Sequence, residues 1–199
     1  MLESLKPFYN NTLRPVTRLF IKIGLHPNHV TFIGLLFFIA AGVLVSINRW
    51  YWALGLVILG AFMDGLDGLL ARESGKTTAF GAILDSTCDR ITEMALLGGL
   101  SVYFLKFSCS DFYGPLLCFA ALCSSMLISY VKARCEGADI SCKRGILQRP
   151  ERIILLCIGL LAGPRIMLRI LGVISLLGAM TVVQRLGEAA AGKDAPSKQ

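Results

Sequence analysis

Charge is scarce in this 199-residue chain: 17% of residues are Asp, Glu, Lys or Arg, whereas 55% are apolar. A soluble domain of this length needs far less apolar surface. No stretch is polar enough to make an extramembrane domain, so the chain reads as a single domain. The seven cysteines, at 88, 109, 118, 123, 135, 142 and 157, form no C-x-x-C pair. Zinc-ribbon and dithiol-redox spacings are therefore missing, and the cysteines read as small packing residues. Histidine is limited to His26 and His29, which read as interfacial residues rather than metal ligands. The N-terminus lacks the unbroken apolar stretch of a signal peptide. Glu3, Lys6 and Pro7 interrupt it, and the first long apolar run starts near Val30.

What the chain does have is apolar runs close to bilayer-spanning length, about 20 residues. Six spans are expected, at 29–47, 51–71, 82–105, 113–131, 151–163 and 166–184, the fifth short and cut by Gly163-Pro164. The fold class that follows is all-α: a polytopic membrane protein with six transmembrane helices. Residues 28–187 form the six-helix bundle, 1–27 an interfacial arm and 188–199 a flexible tail. In the arm, Leu2, Leu5, Leu13, Val16, Leu19, Phe20 and Ile23 alternate with Lys6, Arg14, Arg18 and Lys22. That is the pattern of a juxtamembrane amphipathic helix lying in the headgroup layer, the alternative being a first helix packed on the bundle.

The net charge of +7 follows the spans rather than forming a nucleic-acid patch. Lys6, Arg14, Arg18 and Lys22 precede the first span, and Arg72 and Lys76 follow the second. Lys132, Arg134, Lys143, Arg144, Arg149 and Arg152 follow the fourth, and Arg185, Lys193 and Lys198 the sixth. The alternate loops hold only Arg49, Lys106, Arg165 and Arg169. By the positive-inside rule, both termini and the even loops face the cytoplasm of a multi-pass protein.

Ionisable residues inside apolar spans are costly and mark function. Here they concentrate at two span ends, Asp64 and Asp67 in the second and Asp85 and Asp89 in the third. Spacings of i,i+3 and i,i+4 put each pair on one helix face. The 73–80 loop is short, so the two helices are expected to be antiparallel neighbours with all four carboxylates at similar depth. Four such groups repel one another unless cations neutralise them, and hard oxygen ligands suit Mg²⁺, Mn²⁺ or Ca²⁺. Gly60, Gly68 and Gly81 line up with the aspartates. They serve either close helix approach or room for a bulky ligand.

Asp-Gly-Leu-Asp-Gly-Leu-Leu-Ala-Arg at 64–72, then eight residues, then Gly-Ala-Ile-Leu-Asp-Ser-Thr-Cys-Asp at 81–89 resembles the signature of the CDP-alcohol phosphotransferase family. Asp64, Asp67, Gly68, Ala71, Arg72, Gly81, Asp85 and Asp89 all match it. The resemblance implies six helices, a homodimer, a site open to the cytoplasmic leaflet and one or two Mg²⁺ or Mn²⁺ ions held by Asp64, Asp67, Asp85 and Asp89, with Asp89 also the catalytic base. It further implies a CDP-lipid donor, CDP-diacylglycerol or CDP-archaeol, with Gly68, Ala71, Arg72, Thr78 and Gly81 around it. Pro27-Asn28-His29-Val30-Thr31 is similar to a segment often found before the family's first span. Asn28 and Thr31 then touch the nucleotide, although Asn28 equally suits a helix N-cap.

Segments 80–91, 128–134, 148–152 and 183–186 are similar to the branch that makes phosphatidylinositol phosphate or archaetidylinositol phosphate. In that branch inositol phosphate is the acceptor, held by a basic pocket that Lys132, Arg149 and Arg185 match by position, with Arg134 and Arg152 left open. Gln148 departs from the Glu of the pattern but is no pocket residue. Arginine's planar fork and lysine's point charge both suit phosphate. Topology or anionic-lipid contact is the plainer reading of any cation here, and the preferred one for Lys143 and Arg144. Glycerol 3-phosphate is the rival acceptor. A divalent-cation transporter is the remote alternative, and Arg72 beside a cation path counts against it.

Overall fold

The computed structural model describes residues 6–107, 112–140, 142 and 145–192. The sequence expectations at Leu2, Glu3, Leu5, Cys109, Lys143, Arg144, Lys193 and Lys198 lie outside these residues. Seven helices and no strand occur among the described residues: α1 (Lys6–Lys22), α2 (Pro27–Ser46), α3 (Trp50–Glu73), α4 (Ala79–Phe107), α5 (Tyr113–Glu136), α6 (Arg149–Ala162) and α7 (Pro164–Gly192). Four of them, α2, α3, α5 and α7, are long and apolar enough to cross a membrane. α4 has the length, 29 residues, but Asp85, Asp89, Arg90 and Glu93 crowd its first half. α6 has only 14 residues, which reach about 21 Å against a hydrocarbon core of about 30 Å. Large apolar side chains such as Trp52, Phe119, Leu161 and Val183 stay exposed on the bundle, a surface suited to lipid.

α2 organises the first half of the molecule. Its backbone approaches both α3 and α4 closely, whereas the α3 and α4 backbones stay farther from each other among the described residues. The two helices expected to be antiparallel neighbours meet through their side chains at the aspartates, with α2 packed against both. The cause is local. A Cβ on Gly42 would overlap the Ala95 carbonyl, and one on Gly99 would overlap the Gly42 carbonyl, so α2 and α4 touch backbone to backbone. Gly60 of α3 receives the Phe38 ring of α2.

A core of Phe38, Val45, Val57, Leu96, Leu100, Phe104, Leu160 and Leu171 runs through the bundle. α1 packs separately on α3, placing Leu13, Val16 and Phe20 against Leu66, Leu69 and Leu70. Leu19, Ile21 and Ile23 of the same arm remain exposed. Two of the cysteines lie side by side: Cys135 at the end of α5 and Cys142 in the following loop have adjoining sulfurs.

Candidate active site

α3 ends just beyond Arg72. Gly75 adopts φ 66, a conformation that favours glycine, while Lys76 N donates to Ala71 O at 3.0 Å and Gly75 N to Arg72 O at 3.4 Å. The chain then turns into α4, where the Thr78 hydroxyl accepts from Gly81 N at 3.0 Å and caps the helix. This short reversal carries the two aspartate pairs toward each other from the ends of their helices. Asp64, Asp85 and Asp89 converge, with one carboxylate oxygen of each within 4.8 Å of the others.

Asp67, beside that trio, has a partner on α2. It is buried, and its Oδ2 accepts from the Thr31 hydroxyl of α2 at 2.5 Å. Thr31 therefore orients a carboxylate. Asn28 is not the helix cap: α2 starts at Pro27, and His26 Nδ1 accepts from Asn28 N at 3.4 Å. The Asn28 side chain is free of capping and lies beside Gly81, where a Cβ would sit 3.5 Å from Asn28 Oδ1 and 3.1 Å from Thr78 Oγ1. Asn28, Thr78 and Gly81 thus form one cluster. Arg72 folds back over Gly68, its Nη1 3.5 Å from where a Cβ would be, and Ala71 beside it is half-buried.

Arg149, the first residue of α6, reaches into the acidic trio. Its Nη1 lies 2.7 Å from both Oδ1 and Oδ2 of Asp64 and 2.7 Å from Asp89 Oδ1. Its Nη2 is 3.5 Å from the Thr92 hydroxyl, and its Nε is buried without a hydrogen-bond partner among the described residues. Gln148 N donates to Glu151 Oε2 at 3.1 Å, which fixes the first turn of α6 and with it the root of Arg149. The trio thus accommodates positive charge, and its three hard oxygen donors fit a divalent ion.

The family model for CDP-alcohol phosphatidyltransferases matches residues 24–184. The chain belongs to the CDP-alcohol phosphatidyltransferase family. Membership makes it a transferase of phospholipid synthesis, and the residues just described lie within the matched range. The archaetidylinositol phosphate synthase of Methanothermobacter thermautotrophicus is 36% identical over 185 residues, covering 88% of this chain and 91% of that one. The crystal structure of Mycobacterium tuberculosis phosphatidylinositol phosphate synthase with CDP-DAG bound superposes with TM-score 0.83 at 30% identity, covering 93% of this chain and 96% of that one. The same enzyme in complex with manganese and citrate gives TM-score 0.84 at 30% identity, covering 93% and 92%.

The remaining basic residues divide. Lys132 is exposed and pairs with Glu136 at 3.7 Å, and Arg134 is exposed. Arg185 is buried, with Nη1 donating to Ile128 O at 2.6 Å. Arg152 is buried against Glu93. Of the basic residues singled out from the sequence, Arg149 is the one whose described contacts are with the aspartates. Sequence reasoning overlooked Glu93 and Thr92. Glu93 was findable, being ionisable within an apolar span and one helical turn beyond Asp89 on the same face.

Proposed function

We propose that this enzyme transfers a phosphatidyl-type group from CDP-diacylglycerol or CDP-archaeol to inositol phosphate and releases CMP. The observation that carries the acceptor assignment is Arg149: a cation from a separate helix, seated at the aspartates. The names of the relatives from Methanothermobacter and Mycobacterium support it.

Asp64, Asp67, Asp85 and Asp89 would hold Mg²⁺ or Mn²⁺, one or two ions per site. Such ions neutralise the donor diphosphate and stabilise the departing CMP. Asn28, Thr31, Gly68, Ala71, Arg72, Thr78 and Gly81 surround the nucleotide, with Arg72 contributing its fork to a phosphate and Thr31 keeping Asp67 in place. Asp89 takes the proton from an inositol hydroxyl. The freed oxygen bonds to the lipid-side phosphorus while the bond from that phosphorus to the CMP oxygen breaks. Arg149 holds the acceptor phosphate, and Lys132 and Arg185 complete the basic pocket once the acceptor is bound.

In this reading six helices span the bilayer, α4 and the short α6 among them, with their polar residues turned inward. α1 lies along the cytoplasmic headgroups, where Leu19, Ile21 and Ile23 meet lipid, and the enzyme works as a homodimer. CMP release is measured with CDP-lipid, Mn²⁺ and a panel of inositol 1-phosphate, glycerol 3-phosphate, free inositol and serine. Preference for inositol 1-phosphate is expected, and equal or faster turnover with glycerol 3-phosphate would reassign the acceptor.

A further inference from the structure

The end of α5 turns back on itself. Gly137 N donates to Ala133 O at 3.0 Å, Ala138 N to Cys135 O at 3.0 Å and Ile140 N to the same oxygen at 2.9 Å. Asp139 takes φ 55, the left-handed conformation with which helices commonly end and which aspartate tolerates better than most residues. The reversal sets Cys142 beside Cys135. Their Cα atoms are 6.1 Å apart, inside the span of about 4.4–6.8 Å that a disulfide bridges. Both side chains are buried with Val131, and Ile140 of the turn and Val182 and Ala189 of α7 pack against them. The other described cysteines, Cys88, Cys118, Cys123 and Cys157, are free thiols.

The same loop lies against Arg185. Cys142 Sγ is 3.7 Å from Arg185 O, where a thiol donates weakly and a disulfide sulfur has no proton to give. Farther along the loop, a Cβ at Gly145 would sit 3.5 Å from Arg185 Nε. Arg185 is buried and donates to Ile128 O of α5. Lys132, one helical turn before Cys135, pairs with Glu136. To meet an acceptor phosphate, both cations must leave these partners. With two thiols, this part of the loop has only a weak S–H bond to release. A covalent tie to α5 keeps it closed over Arg185.

We propose that Cys135 and Cys142 are a redox pair, whose disulfide clamps the α5–α6 loop over Arg185 and weakens acceptor binding. The effect on the acceptor rests on the role proposed for Arg185. By the distribution of basic residues the pair lies on the cytoplasmic side, where thiols are kept reduced and disulfides serve sensing more than permanent stapling. Closure takes a small disulfide, RSSR, as oxidant. One cysteine thiolate attacks it, forming a mixed disulfide and releasing RS⁻. The second thiolate attacks the protein sulfur of that bond and displaces the other RS⁻. One sulfur–sulfur bond forms in the protein and one breaks in the oxidant, which takes two electrons and the two thiol protons and leaves as two RSH. Excess small thiol runs the exchange backwards.

The test equilibrates the purified full chain with glutathione disulfide or with dithiothreitol. The 135–142 linkage is read by peptide mass spectrometry after free thiols are alkylated. Both KM values are measured with whichever acceptor the wild type prefers. The oxidised chain is expected to carry the linkage and to keep its CDP-lipid KM. Its acceptor KM should rise about 10-fold or more, the size of one withheld charge-assisted contact. Dithiothreitol should reverse both changes. Cys135→Ser leaves the other cysteines in place and should hold the reduced-form KM values in the oxidant; Cys142→Ser serves equally should that variant not fold. Failure to form the linkage, a linkage that dithiothreitol does not open in the folded chain, or a linked chain with the reduced-form acceptor KM would overturn the proposal. An equal KM rise in the serine variant would overturn it too, by placing the effect at another cysteine. Arg185→Gln under reducing conditions tests the basic pocket by itself. A wild-type acceptor KM there would sink the pocket reading, while the linkage and its reversal still decide the redox pair.

Discussion

Arg149→Gln is the substitution that most directly probes the centre of the site. In the wild type the guanidinium lies 2.7 Å from Asp64 and from Asp89, two of the three carboxylates that fit a divalent ion. The ion and the guanidinium therefore compete for the same negative charge, and removing the arginine should strengthen metal binding when no substrate is present. Side-chain exposures of 19% for Arg149, 31% for Asp64 and 16% for Asp89 leave the contacts partly screened. We therefore count the whole arrangement as one charged hydrogen bond, about 1.5–3 kcal/mol, rather than summing three. At about 1.4 kcal/mol per factor of ten, the Mn²⁺ affinity of Arg149→Gln should rise about 10- to 100-fold. Titration of the detergent-purified protein with Mn²⁺, followed by electron paramagnetic resonance of the free ion, reads this directly. Unchanged or weaker Mn²⁺ binding in a folded variant would refute the competition. The same variant should bind the acceptor worse, so tighter metal binding and a higher acceptor KM are expected together.

Four further outcomes follow from the same geometry. Chelation with EDTA should abolish CMP release, and added Mg²⁺ or Mn²⁺ should restore it; full turnover in a metal-free preparation would end the metal assignment. Asp64→Ala and Asp85→Ala should lose metal and donor binding together, whereas Asp89→Asn should retain donor binding and lose about 10²-fold or more in kcat, as befits a general base; donor-binding and single-turnover measurements separate the two. Lys132→Gln, Arg149→Gln and Arg185→Gln should each raise the acceptor KM about 10- to 100-fold and leave the CDP-lipid KM unchanged, and an unchanged acceptor KM in all three would remove the basic pocket. Gly99→Ala inserts a methyl group into the Gly42 carbonyl and should destabilise the bundle by about 1–3 kcal/mol, seen as a lower melting temperature.

The aspartates were legible in the sequence because their information is local. Four carboxylates at i,i+3 and i,i+4 spacing in otherwise apolar spans have few explanations, and the intervening glycines, alanine and arginine fix the family signature. The helices were legible for the same reason, each long apolar run having to satisfy its own backbone. Their lateral arrangement was not. A short loop between Arg72 and Gly81 suggested that α3 and α4 are neighbours, and their aspartates do meet, but only the structure showed that contact-forming glycines draw α2 and α4 backbone to backbone, so that α2 is shared by α3 and α4. Nor could spacing tell that Asp67 accepts from Thr31, or that Arg149 and Arg152, three residues apart, pair with Asp89 and with a buried glutamate. The sequence by itself determined which residues are ionisable, which face of a helix they share and which runs can enter a membrane, since these follow from composition and helical period. Only the tertiary structure decided which charge meets which, because a long side chain finds its partner across helices whose separation is set by packing far along the chain.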